Sequence, residues 1–139
     1  MNPILRNVLA IVAGIILGSI VNMAVIMLSS SVIPPPEGVN PSDMGSLKAS
    51  MHLFEPKHFL MPFLAHAFGT LVGAFVAGLI AINHRLKISL AIGFFFILGG
   101  ITNILLLPSP LWFTITDLAL AYIPMAWLGY KLQKSFFNN

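Results

Sequence analysis

The stretch FTITDLALAYIPMAW, residues 113–127, places one carboxylate, Asp117, inside a run that is otherwise apolar enough to cross a membrane. An aspartate at the centre of a membrane helix costs roughly 2.5 to 3.5 kcal/mol on insertion scales. Such residues therefore face the interior of a helix bundle or a water-filled cavity. We expect Asp117 to point inward and to find polar partners on neighbouring helices.

The composition of the whole chain agrees with a membrane location. Hydrophobic residues occupy 58% of the 139 positions and charged residues only 8%, with a mean hydropathy of +0.94. A soluble domain carries roughly 25% charged residues. We predict an integral membrane protein of one domain, residues 1–139, with the lipid bilayer as its main partner. The net charge of +3 does not indicate nucleic acid, because cations in such a chain mark its cytoplasmic ends.

Four segments are long enough to span a bilayer. A hydrocarbon core of about 30 Å needs about 20 apolar residues in a helix. The segments cover about 8–29, 59–82, 88–107 and 111–130, and Pro108 and Pro110 separate the last two. The fold class predicted is therefore all-α, an antiparallel bundle of four transmembrane helices with a long loop over 30–58.

Lysine and arginine predict the orientation of this bundle. They divide five to two between its sides: Arg6, Arg85, Lys87, Lys131 and Lys134 against Lys48 and Lys57. Both termini are therefore expected in the cytoplasm and loop 30–58 outside, in a plasma or inner membrane.

The long outer loop carries a pattern of its own. Met44, Leu47, Met51 and Phe54 recur at helical spacing, which predicts a short amphipathic helix with Ser42 as its N-cap. This helix is expected along the membrane surface or across the mouth of the bundle. Three titratable residues are assigned to that outer mouth: Glu37, Glu55 and His58.

A metal site is one interpretation of the segment HLFEPKH, residues 52–58. His52, Glu55 and His58 are residue types that bind zinc. Pro56 disfavours helix at Glu55, however, so helical spacing does not bring the three together. The alternative is that they are solvated or contact lipid headgroups. Cysteine is absent, which excludes thiolate ligands, and we predict no cofactor.

One polar residue in each span lies at a similar depth below the outer ends. These residues are Asn22, His66, Asn103 and Asp117, with Thr70 and Thr114 close to them. Since hydrocarbon does not solvate polar side chains, we expect them to converge in one layer that a ligand reaches from outside.

Glycines predict where the helices touch. Small residues allow membrane helices to approach closely. The faces concerned carry Gly14, Gly18, Gly69, Gly73, Gly99 and Gly100, and Gly78 and Gly93 are left to contact a partner helix or a second copy of the chain.

The polar layer has two explanations. Its side chains either hydrogen-bond one another and hold the helices together, or form a site in which Asp117 and His66 titrate as a coupled pair. The first fits a non-enzymatic subunit or accessory protein of a membrane complex. The second fits a small transporter or binding protein for a cation or a small polar ligand.

A third hypothesis is an enzyme that modifies lipids, with His66 as base and Asp117 orienting it. The four spans and the length resemble those of the membrane-associated eicosanoid and glutathione family, but the arginine-rich motif of its second helix is missing. They also resemble the small multidrug transporters, whose glutamate in the first helix has no counterpart here. No P-loop, dinucleotide-binding, serine-elbow or zincin motif is present, so we lean towards a protein without catalytic activity.

Overall fold

The computed structural model describes residues 1–138, which form helices and no strands. The α-helices are α1 (Pro3–Val32), α2 (Met44–Ala49), α3 (Leu60–Ile80), α4 (Arg85–Leu106), α5 (Leu111–Leu120) and α6 (Ile123–Phe137). Two 3-10 helices, Met51–Leu53 and Pro56–Phe59, precede α3. Four helical segments are long and apolar enough to cross a membrane: Pro3–Val32, Pro56–Ile80, Arg85–Leu106 and Leu111–Phe137. This confirms the predicted all-helical class and suggests a membrane location.

The fourth segment differs from the single helix expected over 111–130. It is divided into α5 and α6, with Ala121 and Tyr122 between them. Pro124 is the second residue of α6 and has no backbone N–H, so the carbonyl of Leu120 lacks its usual helical donor. Regular hydrogen bonding ends with the Ala121 amide on Asp117 O and resumes with the Ala126 amide on Tyr122 O.

Glycines bring α1 and α3 into backbone contact. A Cβ atom added to Gly14 would lie 2.6 Å from Gly73 O, and one added to Gly73 would lie 2.7 Å from Gly14 O. Gly18 and Gly69 face each other in the same way, at 2.6 and 2.8 Å. Any side chain at these four positions would push the helices apart, so the predicted glycine faces meet each other.

Helix α6 packs against α3 and α4 through small residues. A Cβ on Gly129 would lie 2.6 Å from Leu71 O, and one on Gly93 would lie 2.7 Å from Ala126 Cβ. Gly78 faces Ser89 and Gln133. The expectation that Gly78 and Gly93 serve a partner helix is therefore wrong, because both contact helices of the same chain.

Helix α3 lies at the centre of the arrangement and contacts α1, α4 and α6. The core between them is built mostly from small side chains: Ala10, Ala74, Ala77, Ala81, Ile88, Ile92 and Ala126. Small residues permit close helix packing where no large apolar side chain fits between the backbones.

The two ends of the molecule differ. The terminal end holds the start of α1, the end of α6 and the 81–84 turn, where Arg6 Nε donates to Ile80 O at 2.8 Å and Asn7 donates to Asn83. The loop end holds residues 33–59 and the 107–110 turn. There α2 is capped by Asp43, whose carboxylate accepts from the Gly45 and Ser46 amides at 3.2 Å, and not by Ser42 as expected.

Candidate functional site

A cavity of about 940 Å³ lies at the loop end. Residues of all four long helical segments line it, and the loop contributes its predicted apolar stripe: Met44, Leu47, Met51 and Phe54. Helix α2 ends at Ala49, so this stripe spans an α-helix and the 3-10 turn that follows. The amphipathic segment thus turns its apolar side towards the cavity.

Asp117 lines this cavity and is held between two side chains. It is only 2% exposed. His66 Nδ1 lies 2.8 Å from Asp117 Oδ1, and the Tyr122 hydroxyl donates to Asp117 Oδ2 at 2.9 Å. The structure therefore brings Asp117 and His66 together and adds a third member, Tyr122, that the sequence analysis missed.

The break in the fourth segment places Tyr122. On a continuous helix, a residue five positions after Asp117 would point about 140° away from it, since each residue turns by about 100°. The interruption at 121–122 instead turns the phenol back onto the carboxylate. The Tyr122 ring also stacks on His66, with centroids 5.8 Å apart and planes at 26°.

Gly100 on α4 makes room for this phenol. A Cβ atom there would lie 2.7 Å from Tyr122 Cζ and closer still to its hydroxyl oxygen. Gly99 behaves differently, because it is exposed and a Cβ on it would meet nothing within 4 Å. Within the described residues Gly99 therefore packs against no other helix, whereas Gly100 leaves the space that the ring of Tyr122 occupies.

The His66–Asp117–Tyr122 cluster has a defined hydrogen-bond chemistry. An ionised carboxylate only accepts, so His66 Nδ1 carries the hydrogen in its bond to Asp117. The other ring nitrogen, Nε2, is then left for a ligand or water. His66 lines the cavity and keeps 16% of its side chain exposed, which gives that ligand access.

The two asparagines lie beside this cluster without joining it. Asn22 and Asn103 both line the cavity. Within residues 1–138, neither side chain hydrogen-bonds to His66 or Asp117. Asn22 packs against Gly69, and its buried Oδ1 atom has no partner. Of the four residues expected in one layer, only His66 and Asp117 are therefore joined by a hydrogen bond. The Oδ1 atom of Asn22 is left as an unpaired acceptor.

The two threonines assigned to the layer have other partners. The Thr70 hydroxyl is buried and donates to His66 O at 2.8 Å, which ties it to the backbone of its own helix. The Thr114 hydroxyl lies 2.9 Å from the Ser109 hydroxyl at the start of α5. Neither residue lines the cavity, so neither belongs to the candidate ligand site.

Of the three residues assigned to the outer mouth, only His58 lines the cavity. Its Nδ1 accepts from the Glu55 amide at 2.8 Å. Glu55 pairs with Lys57 at 3.5 Å in an exposed position, and Glu37 is exposed outside the cavity. Among residues 1–138, no three histidine or acidic side chains are grouped as metal ligands, so the site with His52 is not supported.

The cavity lining is mostly apolar and includes some polar side chains. Asp117 is its only acidic residue, and neither lysine nor arginine contributes to it among residues 1–138. Five methionines line it: Met23, Met27, Met44, Met51 and Met61. Four phenylalanines do so as well: Phe54, Phe59, Phe96 and Phe113. This combination suits an apolar ligand that carries a hydrogen-bond donor or a positive charge.

Comparison with family models, with curated proteins and with solved structures gives no significant match to this chain. The arguments about function that follow therefore depend on the cavity and on the residues that line it.

Proposed function

We propose that this chain is a four-helix integral membrane protein that binds or transports a small organic cation with an apolar body. The observation that carries the proposal is the position of Asp117. Among the described residues it is the single acidic side chain in a cavity of about 940 Å³ to which neither lysine nor arginine contributes. Ligand sites commonly combine an apolar lining with a few polar groups that fix orientation.

Electrostatics favour a cation over an anion in this cavity. A carboxylate in a medium of low dielectric attracts a positive charge far more strongly than it does in water. Phenylalanines in the lining, such as Phe59 and Phe113, would add to that attraction where a cation contacts the face of a ring, which is negative. An anionic ligand would meet Asp117 with no lysine or arginine in the described lining to offset the repulsion.

The ends of the broken fourth segment support the same ligand class. Asp117 lies in the last turn of α5, whose carbonyls carry the negative end of the helix dipole. Interrupted helices whose carboxyl ends coordinate cations are a recurring feature of transporters. Asp117 is the one residue of this turn that lines the cavity, so a cation there would contact its carboxylate and sense the carbonyls only through the negative end of the dipole.

His66 holds the carboxylate that the proposed cation would contact. Its Nδ1 lies 2.8 Å from Asp117 Oδ1, so a direct hydrogen bond fixes the position of the carboxylate in the cavity.

Binding of tetraphenylphosphonium to the purified protein, followed by calorimetry in detergent, tests the proposal. We expect Asp117→Asn to weaken binding at least about tenfold, which corresponds to about 1.4 kcal/mol. Glu37→Gln removes an exposed carboxylate outside the cavity and should leave binding unchanged. Unchanged affinity in a folded Asp117→Asn protein would contradict the proposal.

The accessory-subunit hypothesis remains a prediction. It rests on the absence of catalytic motifs from the sequence and, in addition, on glycine faces left for a partner, but Gly78 and Gly93 are occupied within the chain. Co-purification of a fixed partner from native membranes would favour that hypothesis. The lipid-modifying hypothesis retains the 2.8 Å His66–Asp117 pair, which is the geometry of a base and its orienting group.

A further inference from the structure

A second recess, of about 700 Å³, lies at the terminal end of the molecule, opposite the cavity that contains Asp117. We name it the basic recess. It is formed by the 82–84 turn, the first turn of α4 and the last turns of α6. Its cationic side chains are Arg85, Lys87 and Lys134, and His84 also lines it. Among residues 1–138 no aspartate or glutamate contributes to the lining.

The first turn of α4 faces this recess without a cap. His84 precedes the 22-residue helix with a left-handed φ of 52°, and its side chain makes no capping hydrogen bond. No acidic residue follows in the first turn. The initial backbone N–H groups of a helix have no partner within it and carry the positive end of its dipole. His84, Arg85, Leu86 and Lys87 all line the recess, so those N–H groups lie beside it.

Gln133 on α6 provides a second, independent indication of a ligand. The residue lines the recess but has no exposed surface, and its amide oxygen packs towards Gly78 on α3. Both its amide nitrogen and its amide oxygen are buried without a hydrogen-bond partner. Buried polar groups are nearly always paired, so the unpaired amide N–H next to a basic surface indicates a missing acceptor, and the unpaired oxygen indicates a missing donor.

Arg85 is already fixed in place at the edge of the recess. Its Nε donates to Ala81 O at 3.0 Å, and its guanidinium lies 4.3 Å from the centroid of the Phe137 ring. The terminal guanidinium nitrogens remain for an oxygen ligand. Lys87 and Lys134 have exposed side chains on either side, one on each of the two helices.

We infer that the basic recess binds the phosphate group of an anionic lipid headgroup. Unsatisfied helix N–H groups, cationic side chains and a buried amide are the donors that phosphate oxygens accept from. The recess lies at the end of the helices predicted to be cytoplasmic, where anionic headgroups gather and basic pockets between helices bind them. Free phosphate offers the same oxygens, and the experiment separates the two sources.

The test is native mass spectrometry of the detergent-purified chain titrated with phosphatidylglycerol, phosphatidylcholine or inorganic phosphate. We expect phosphatidylglycerol to bind at least about tenfold more tightly than phosphatidylcholine, because only the former has net negative charge. Equal affinity for the two lipids would overturn the inference. Competition by inorganic phosphate at concentrations equal to those of the lipid would support the phosphate site and overturn its assignment to a lipid.

Two matched double variants locate the site. Lys87→Gln with Lys134→Gln should weaken phosphatidylglycerol binding about thirtyfold, since each cation near a membrane surface contributes about fivefold. Lys57→Gln with Lys131→Gln removes the same charge outside the recess and should leave binding unchanged. Equal losses in both proteins would mean non-specific attraction and would contradict the inference.

Gln133→Leu tests whether the amide of Gln133 binds a ligand or has a purely structural role. Leucine fills a similar volume without unpaired polar atoms, so the lipid-free variant should melt at a higher temperature than the wild type. We expect the same variant to bind phosphatidylglycerol several-fold more weakly. A higher melting temperature with unchanged lipid affinity would show that the amide serves no ligand, and the inference would fail.

Discussion

At the scale of single residues, the position of the Tyr122 side chain depends on three neighbours. Its hydroxyl donates to Asp117 Oδ2 at 2.9 Å, its ring stacks on His66, and Gly100 leaves the space that the ring occupies. The phenol therefore links α4 to the broken fourth segment. Any change that moves this ring removes one of the two donors that hold the carboxylate.

Gly100→Ala tests this arrangement, with Gly99→Ala as its matched control. A methyl group at position 100 would overlap Tyr122, so we expect the free energy of unfolding in detergent to fall by about 1–3 kcal/mol. A methyl group at 99 meets nothing within 4 Å and should be neutral or stabilise by up to about 1 kcal/mol. Equal effects at the two positions would contradict the placement of the ring.

Tyr122→Phe tests the hydrogen bond by itself. Loss of the hydroxyl should lower the free energy of unfolding by about 0.6–1.7 kcal/mol, which runs from the average to the maximum measured for such bonds within membrane proteins. Phenylalanine also lacks the atom nearest to the added methyl group. We therefore expect Gly100→Ala to destabilise the Tyr122→Phe protein less than the wild type, and additive effects would argue against the contact.

Some contacts of single residues in the polar cluster could be predicted from the sequence, and others could not. The inward position of Asp117 and its contact with His66 follow from the absence of water in hydrocarbon, and both were predicted. Tyr122 was not, because only the break at 121–122 turns it towards Asp117. Similar depth and face did not predict bonding for Asn22 and Asn103, since hydrogen bonds depend on separations of a few tenths of an ångström.

At the scale of the helices, the contact between α1 and α3 depends on glycine. The recurrence of glycine every four residues predicts a close approach, and the structure brings Gly14 and Gly18 against Gly73 and Gly69. The break between α5 and α6 was less predictable. Pro124 indicates a lost hydrogen bond, but proline in a membrane helix produces either a kink or an interruption, depending on the packing around it.

Gly18→Ala measures the contribution of the helix contact. The added Cβ would lie 2.6 Å from Gly69 O and 2.9 Å from the Phe96 ring, so the two helices have to separate. We expect a loss of about 1–3 kcal/mol in the free energy of unfolding. Ser19→Ala changes the adjacent, exposed position and serves as the control. Equal stability of the two variants would show that this contact is not close.

At the scale of the whole molecule, the predicted orientation decides on which side of the membrane each candidate site opens. Arg85, Lys87 and Lys134 line a recess at the terminal end, and Asp117 lines the cavity at the opposite end. With the orientation predicted from lysine and arginine, the cavity that contains Asp117 opens to the outside and the basic recess faces the cytoplasm.

Cysteine labelling tests this orientation directly, because the chain has no native cysteine. Glu37→Cys and Ser135→Cys introduce one thiol each at exposed positions on the two ends. In intact cells we expect a membrane-impermeant maleimide to label position 37, and position 135 only after permeabilisation. The reverse pattern would place the cavity on the cytoplasmic side and contradict the predicted topology.

The central claim is that Asp117 makes the cavity selective for positive charge. The most direct test compares tetraphenylphosphonium with tetraphenylborate, ions of nearly the same shape and opposite charge, after partition into protein-free micelles is subtracted. We predict that the wild-type protein binds the cation at least about tenfold more tightly, and that Asp117→Asn removes this difference. Equal affinity for the two ions, or a preference for the anion, would contradict the account.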